Sequence, residues 1–211
     1  MPVNLGEQPD HGFNEPVRLM RDCHRRIEKF LGVLSRVVAD RRGGELNAEY
    51  RVALEAARRY FKAAAPWHTR DEEDSLFPRM RELKDSRVLE VMARIAALES
   101  DHADAEAKHA IVDELGSRWV ARGTLEASEL DRLRRLLVEL RQTYQRHIAD
   151  EDNVIFPLAE SLLPSTSIVA IGREMAERRG LDPDMPKRRC RHASRHKAID
   201  AATSPARDQP Q

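Results

Sequence analysis

The chain is expected to fold as an all-α, up-down-up-down four-helix bundle with a short fifth helix at its C-terminal end. Three observations lead there. Four long stretches repeat apolar residues at alternating steps of three and four, which is the spacing of one buried helical stripe. The connections between them are short, which favours antiparallel neighbours. The period-2 alternation bounded by turn residues that marks strands is missing throughout.

Residues 1–13 are polar, with two Pro and two Gly, and read as a flexible N-terminal arm. Asn14 is the expected N-cap of the first helix. Glu15 and Pro16 fall in its first turn, where the missing N–H of proline costs nothing. Met20, His24, Ile27, Leu31, Leu34 and Val38 form its buried stripe, and Gly43-Gly44 ends it after about Arg42. His24 therefore stands on the seam.

Asn47 caps the second helix, whose stripe is Leu54, Ala57, Phe61, Ala64 and His68. Pro66 removes a backbone hydrogen bond there, so a kink or restart is expected. The seam then passes through Glu72 and Leu76 to Met80, and Asp85-Ser86 supplies a turn and a new N-cap. The third helix, from Ser86 to about Arg122, carries Val88, Val91, Ile95, Leu98, His102, Ala105, His109, Val112 and Trp119, and Gly123 closes it. The fourth begins near Glu126 or Ser128 and has the most regular stripe: Leu133, Leu137, Leu140, Tyr144, His147, Glu151, Val154 and Leu158. Pro164-Ser165 ends it and opens the fifth helix, roughly Thr166 to Arg179, which stops at Gly180. The bundle thus occupies residues 14–180. Residues 181–211, rich in proline, basic and poor in apolar side chains, read as a disordered basic tail.

Composition narrows the function. Lys plus Arg and Asp plus Glu both number 36, so the overall charge gives no reason to expect nucleic acid or an anionic membrane as partner. No run approaches the roughly 18 consecutive apolar residues of a membrane span, and the first residues lack the basic and apolar regions of a secretory signal. Cys23 and Cys190 form no Cys-x-x-Cys pair, so neither a disulfide framework nor a thiolate metal site is expected. The expected location is the cytoplasm.

Two segments repeat one another: His68-Thr-Arg-Asp-Glu72 and His147-Ile-Ala-Asp-Glu151, each followed by an acidic residue and then, after three more, by Phe-Pro. Residues four apart lie on one helix face, so each segment offers an imidazole nitrogen and a carboxylate oxygen to one point. In a chain that is 34% charged, a single His-x-x-x-Glu is weak evidence, but the same spacing twice with the same trailing Phe-Pro is not. In a bundle the four seams face one interior, so His24, His68, Glu72, His102, His147 and Glu151 can converge. Buried unpartnered carboxylates and imidazoles cost several kcal/mol each, and a bound cation removes that penalty.

Nitrogen and oxygen donors without thiolate leave zinc, iron, manganese and copper open. A structural zinc site uses four ligands, whereas two carboxylates able to bridge, with imidazoles at both ends, suit two ions side by side, and iron fits best. The Glu-x-x-His pattern of ferritin-like di-iron proteins is absent, because here His comes first and the step is four.

The order His, His-x-x-x-Glu, His, His-x-x-x-Glu, with Phe-Pro after each pair, resembles the hemerythrin-like family, also called the HHE cation-binding domain, over roughly residues 15–163. That resemblance implies a four-helix bundle holding two non-haem iron ions with an oxo or hydroxo bridge. It also implies small-molecule partners: oxygen, peroxide or nitric oxide. Under it His24, His68, Glu72, His102, His147 and Glu151 match the ligand pattern, with Glu72 and Glu151 bridging. Oxygen-carrying members have His-x-x-x-His on the third helix, where this chain has His102-Ala-Asp-Ala-Glu106. Glu106 is accordingly the expected seventh ligand. His109, about 10 Å along the axis from His102, is the alternative. The implied role is binding or sensing, with a peroxide- or nitric oxide-consuming enzyme and an iron store or donor as the other readings. Tyr144 reads as core, Cys23 as an ordinary buried cysteine, and Glu73-Asp74 as a solvated face.

Overall fold

The computed structural model describes residues 10–182, and among them every regular element is helical. The elements are α1 (Pro16–Arg41), α2 (Ala48–Ala63), α3 (Ala65–Asp71), a π-helical turn (Glu72–Leu76), α4 (Phe77–Arg81), α5 (Ser86–Arg122), α6 (Ala127–Asp150), a second π-helical turn (Glu151–Ile155), α7 (Phe156–Leu162) and α8 (Ser165–Arg178). The basic tail from residue 183 and the arm before residue 10 lie outside the described residues.

Most helix ends follow the local chemistry. The Asn47 side chain accepts the Tyr50 N–H, the Asp85 side chain accepts the Arg87 N–H, and Glu126 forms a reciprocal capping box with Glu129. Helix α5 closes with Gly123 in the left-handed conformation. At the start of α1 the cap is Glu15, not Asn14, and its side chain caps nothing. Pro66 does break the second helical run: α2 ends before Ala64, and Trp67 N–H reaches back only to the Ala64 carbonyl.

Helices α1 and α5 each pack against both α2 and α6, so the four make a closed ring of neighbours. Two apolar clusters fill it. One runs from Ile27, Leu34, Phe61 and Ala105 to Trp119 and Leu140. The other holds Met20, Leu98, Leu76, Phe77, Ile155 and Phe156. The order of apolar and polar seam positions along each helix sets a polar layer between them: His24 falls between Met20 and Ile27, His68 between Phe61 and Leu76, His102 between Leu98 and Ala105, and His147 between Leu140 and Ile155. The order in which each helix meets the two clusters alternates along the chain.

Helix α8 turns back by 120° and covers the end of the bundle beside α1 and α3. Ile171, Gly172, Met175 and Ala176 face inward. Residues 10–13, expected as part of a flexible arm, are docked here. His11 N–H donates to Asp22, its Nδ1 lies 3.0 Å from the same carboxylate, and Phe13 packs against the second cluster. Gly172 permits that contact, since a Cβ there would lie 1.9 Å from the Phe13 carbonyl oxygen. Gly172→Ala should therefore lower unfolding free energy by about 1–3 kcal/mol, the usual range for overpacking, measured by denaturant titration. A change near zero would show that the 10–13 segment is not held there.

Candidate metal centre

The repeated motif shapes the backbone as well as supplying ligands. Both π-helical turns begin at the motif glutamate, and both end at the Phe-Pro pair: Phe77 N–H bonds to the Glu72 carbonyl and Phe156 N–H to the Glu151 carbonyl, five residues back. A proline in a regular α-helix clashes with the carbonyl four residues before it. The wider turn absorbs that clash for Pro78 and Pro157. It also brings successive side chains closer in direction, so that the glutamate and the acidic residue after it both reach inward. Sequence reasoning noted the Phe-Pro repeat but assumed one uniform helical period and so missed the turns.

Six expected ligands are brought together and are buried, with Glu72 and Glu151 fully so. They form two groups of four donors, His24, His68, Glu72 and Glu151 in one, and Glu72, His102, His147 and Glu151 in the other. Both carboxylates belong to both groups. Glu72 Oε1 lies 3.1 Å from His68 Nε2 while its Oε2 lies 3.3 Å from His102 Nε2. Glu151 Oε2 is 3.1 Å from His24 Nε2 and 3.2 Å from His147 Nε2. Despite this closeness, His24 Nε2 and all four carboxylate oxygens lack a hydrogen-bond partner of proper geometry. Buried polar atoms are rarely left so. They are aimed at shared points, not at one another, and a donor set of nitrogen and oxygen suits iron.

The electrostatics carry the same meaning. Burial alone would raise Glu72, but His68, His102 and His24 hold its carboxyl well below the usual range. Burial and the neighbouring Glu72 would raise Glu151, and His147 and His24 outweigh them. Conversely, burial opposes a charge on His102, yet Glu72, Glu151 and Glu73 lift it to about 9. His68, whose burial is outweighed by no such set, falls to about 4. Two buried carboxylates that stay ionised, and draw positive charge onto their neighbours, make the layer a place of negative potential.

Two histidines are held from behind, and a third faces a carboxylate beyond hydrogen-bond reach. His24 Nδ1 is 3.0 Å from Asp152, His102 Nδ1 is 2.8 Å from Glu73, and His147 Nδ1 is 3.6 Å from Asp101. The acidic residue that follows each motif glutamate thus orients a histidine from a different helix. Glu73 was expected on a solvated face. The missed signal was its repetition as Asp152 at the same place in the second motif. Such carboxylates fix the imidazole tautomer, and their loss typically weakens a metal 10- to 100-fold. Glu73→Gln and Asp152→Asn should each do so, measured by competition with a chelator, and unchanged affinity in both would remove this role.

Glu106 is not brought in. It is exposed and stands outside both donor groups. On a regular helix the residue four beyond His102 is rotated by about 40° from it, and on α5 this turns Glu106 toward the rim of a cavity beside the histidines, away from their meeting point. Glu106→Gln should leave metal content unchanged. The alternative, His109, is also outside both groups: its ring stacks on Phe61 with centroids 4.1 Å apart and its Nε2 lies 3.1 Å from the Tyr144 hydroxyl. Cys23 is an ordinary thiol, pushed up to about 11 by burial. Among the described residues no single helix is long and apolar enough to cross a membrane.

The family of hemerythrin HHE cation-binding domains matches residues 15–159. An uncharacterized protein of Haemophilus influenzae is 27% identical over 169 residues, which cover 79% of this chain and 91% of that protein.

Proposed function

The chain belongs to the hemerythrin HHE cation-binding domain family, and from that premise we propose that it holds two iron ions and binds or senses a small reactive molecule, namely oxygen, peroxide or nitric oxide. The observation that carries the reading is the sharing of Glu72 and Glu151 by both histidine pairs. A single six-coordinate ion would need all six donors around one point, whereas they fall into two groups of four that share only the carboxylates. His24 and His68 would hold one ion, His102 and His147 the other, and Glu72 and Glu151 would serve both. An up-down-up-down bundle fits this, because the alternating order of apolar clusters along the helices supports it and sets all four histidines at one depth. The cytoplasm is the proposed location.

When bound, the ions supply redox chemistry and open positions for a small ligand. The chain's own contribution is to keep two of the imidazoles oriented through Asp152 and Glu73, to hold Glu72 and Glu151 ionised, and to flank the layer with two apolar clusters.

The test mixes anaerobically reduced protein separately with oxygen, peroxide and nitric oxide while absorbance is followed in the near-ultraviolet and visible. At least one should give a saturable spectral change proportional to iron content. No change with any of the three would contradict the proposal, even where iron is present.

A further inference from the structure

The two motif repeats agree at the residue before the glutamate, Asp71 and Asp150, yet the fold places these two aspartates unequally. Asp150 is partly exposed and meets Arg94 of α5 at the surface, at 2.5 Å. Asp71 is fully buried, and its partners come from α8: Arg178 Nη1 donates to Oδ1 at 2.9 Å, and Arg179 donates to Oδ1 at 3.1 Å and to Oδ2 at 2.6 Å. The difference continues inside the π-helical turns. Ser75 of the first turn is buried, with its hydroxyl bonded to Glu174 and Arg178, and its carbonyl accepts Arg79 Nη1 at 2.9 Å. Val154 stands at the equivalent place in the second turn and packs against the second apolar cluster. The first turn is thus braced by charged groups of a separate helix, the second by apolar packing.

We propose that Arg178, Arg179 and Glu174 are positioning residues for the metal centre: docked on the segment from Asp71 to Ser75, α8 keeps Glu72 aimed at the histidines, and occupancy of the centre in turn holds α8 in place. The inference rests on the reading that Glu72 is a metal ligand. Its physical basis is that Asp71 and Glu72 are successive residues of one helical turn, about 100° apart, so neither can swing without the other. A buried carboxylate stranded without its arginines is strongly unfavourable. With α8 undocked, Asp71 therefore turns toward water and carries Glu72 away from His68 and His102, whose Nε2 atoms its oxygens meet at 3.1 and 3.3 Å. The relation runs both ways, because coupling between two binding events is reciprocal. An ion that fixes Glu72 also fixes Asp71 where the two arginines reach it. The surface pair of Asp150 with Arg94 exerts little such hold, since exposed ion pairs contribute little. Through its charged side chains α8 acts on the centre by way of the first motif.

The experiment is hydrogen exchange read by mass spectrometry on the full chain, with and without ferrous iron, iron being counted on the same samples. Iron should slow exchange about tenfold more in residues 171–178 of α8 than in residues 49–54 of α2, whereas a merely structural α8 would gain no more protection than α2. Affinity is then measured by competition with a chelator. Arg178→Gln combined with Arg179→Gln should weaken iron about tenfold and remove the extra protection of α8 at saturating iron. Arg94→Gln, which cuts only the surface pair of the second motif, should leave affinity unchanged. Where the double variant fails to fold, Glu174→Gln, which removes the charge facing Arg79 and Ser75, should weaken iron severalfold, and the exchange comparison on the unaltered chain needs no variant. Equal protection of α2 and α8, or variants that bind iron as tightly as the unaltered chain, would overturn the proposal and leave the di-iron reading standing. An unaltered chain that takes up no iron would overturn both.

Discussion

Replacing Glu151 with alanine should empty both metal positions, whereas replacing His68 should empty one. Glu151 and Glu72 are donors in both groups of four, while each histidine belongs to a single group. Loss of a supporting carboxylate behind a ligand already costs 10- to 100-fold in affinity, and loss of a shared ligand should cost at least that at each position. Every hundredfold loss removes about 2.7 kcal/mol of ligand-linked stability at saturating metal, which for a chain of this size is about 5–11 °C in Tm. Glu151→Ala should thus show roughly twice the thermal destabilisation of His68→Ala, with parallel losses of iron after dialysis against a weak chelator. Equal effects of the two substitutions would mean that Glu151 does not serve both positions.

The second large effect lies behind the ligands, where α8 grips the helix that carries them. Asp71, directly before Glu72, is fully buried and receives Arg178 Nη1 at 2.9 Å and Arg179 Nη2 at 2.6 Å. Ser75 and Glu174 extend the network, with Arg79 Nη2 donating to Glu174 Oε1 at 2.6 Å. Arg178 and Arg179 are themselves largely buried. A buried ion pair is worth little in net terms, but deleting one partner strands the other in a poor solvent, at about 3–5 kcal/mol. Asp71→Ala should cost that much in denaturant titration, and Asp71→Asn less, because its amide keeps an acceptor oxygen. A loss below about 1 kcal/mol would mean that Asp74 and Glu174 take over both arginines.

What the sequence made legible and what it hid divide along one physical line. Seam positions recur with a fixed step, so every residue on a seam could be placed without coordinates: His24, His68, Glu72, His102, His147 and Glu151 all lie where their spacing predicts. Helix ends written in local chemistry, such as Asn47, Asp85 and Gly123, were equally readable. The π-helical turns were not, because a uniform 3.6-residue period cannot register one extra residue, even though Pro78 and Pro157 each stand six residues after a motif glutamate. The turns in their wake hid Glu73 and Asp152, which look like surface charge on a regular helix. Glu106 is the opposite case, exposed and outside both donor groups: one turn from a ligand is near the seam but past its edge, and only the packing of α5 decides which side faces in. The docking of α8 and residues 10–13 rests on contacts between segments far apart in sequence, such as Asp71 with Arg179 and Phe13 with Gly172. No local pattern carries those.

Counting the metal is the most direct test of the whole account. Protein purified from iron-replete cells without chelators should contain about two iron ions per chain, and Glu151→Ala prepared in parallel should contain far less. One zinc ion per chain, or no metal at all, would contradict the shared-carboxylate centre.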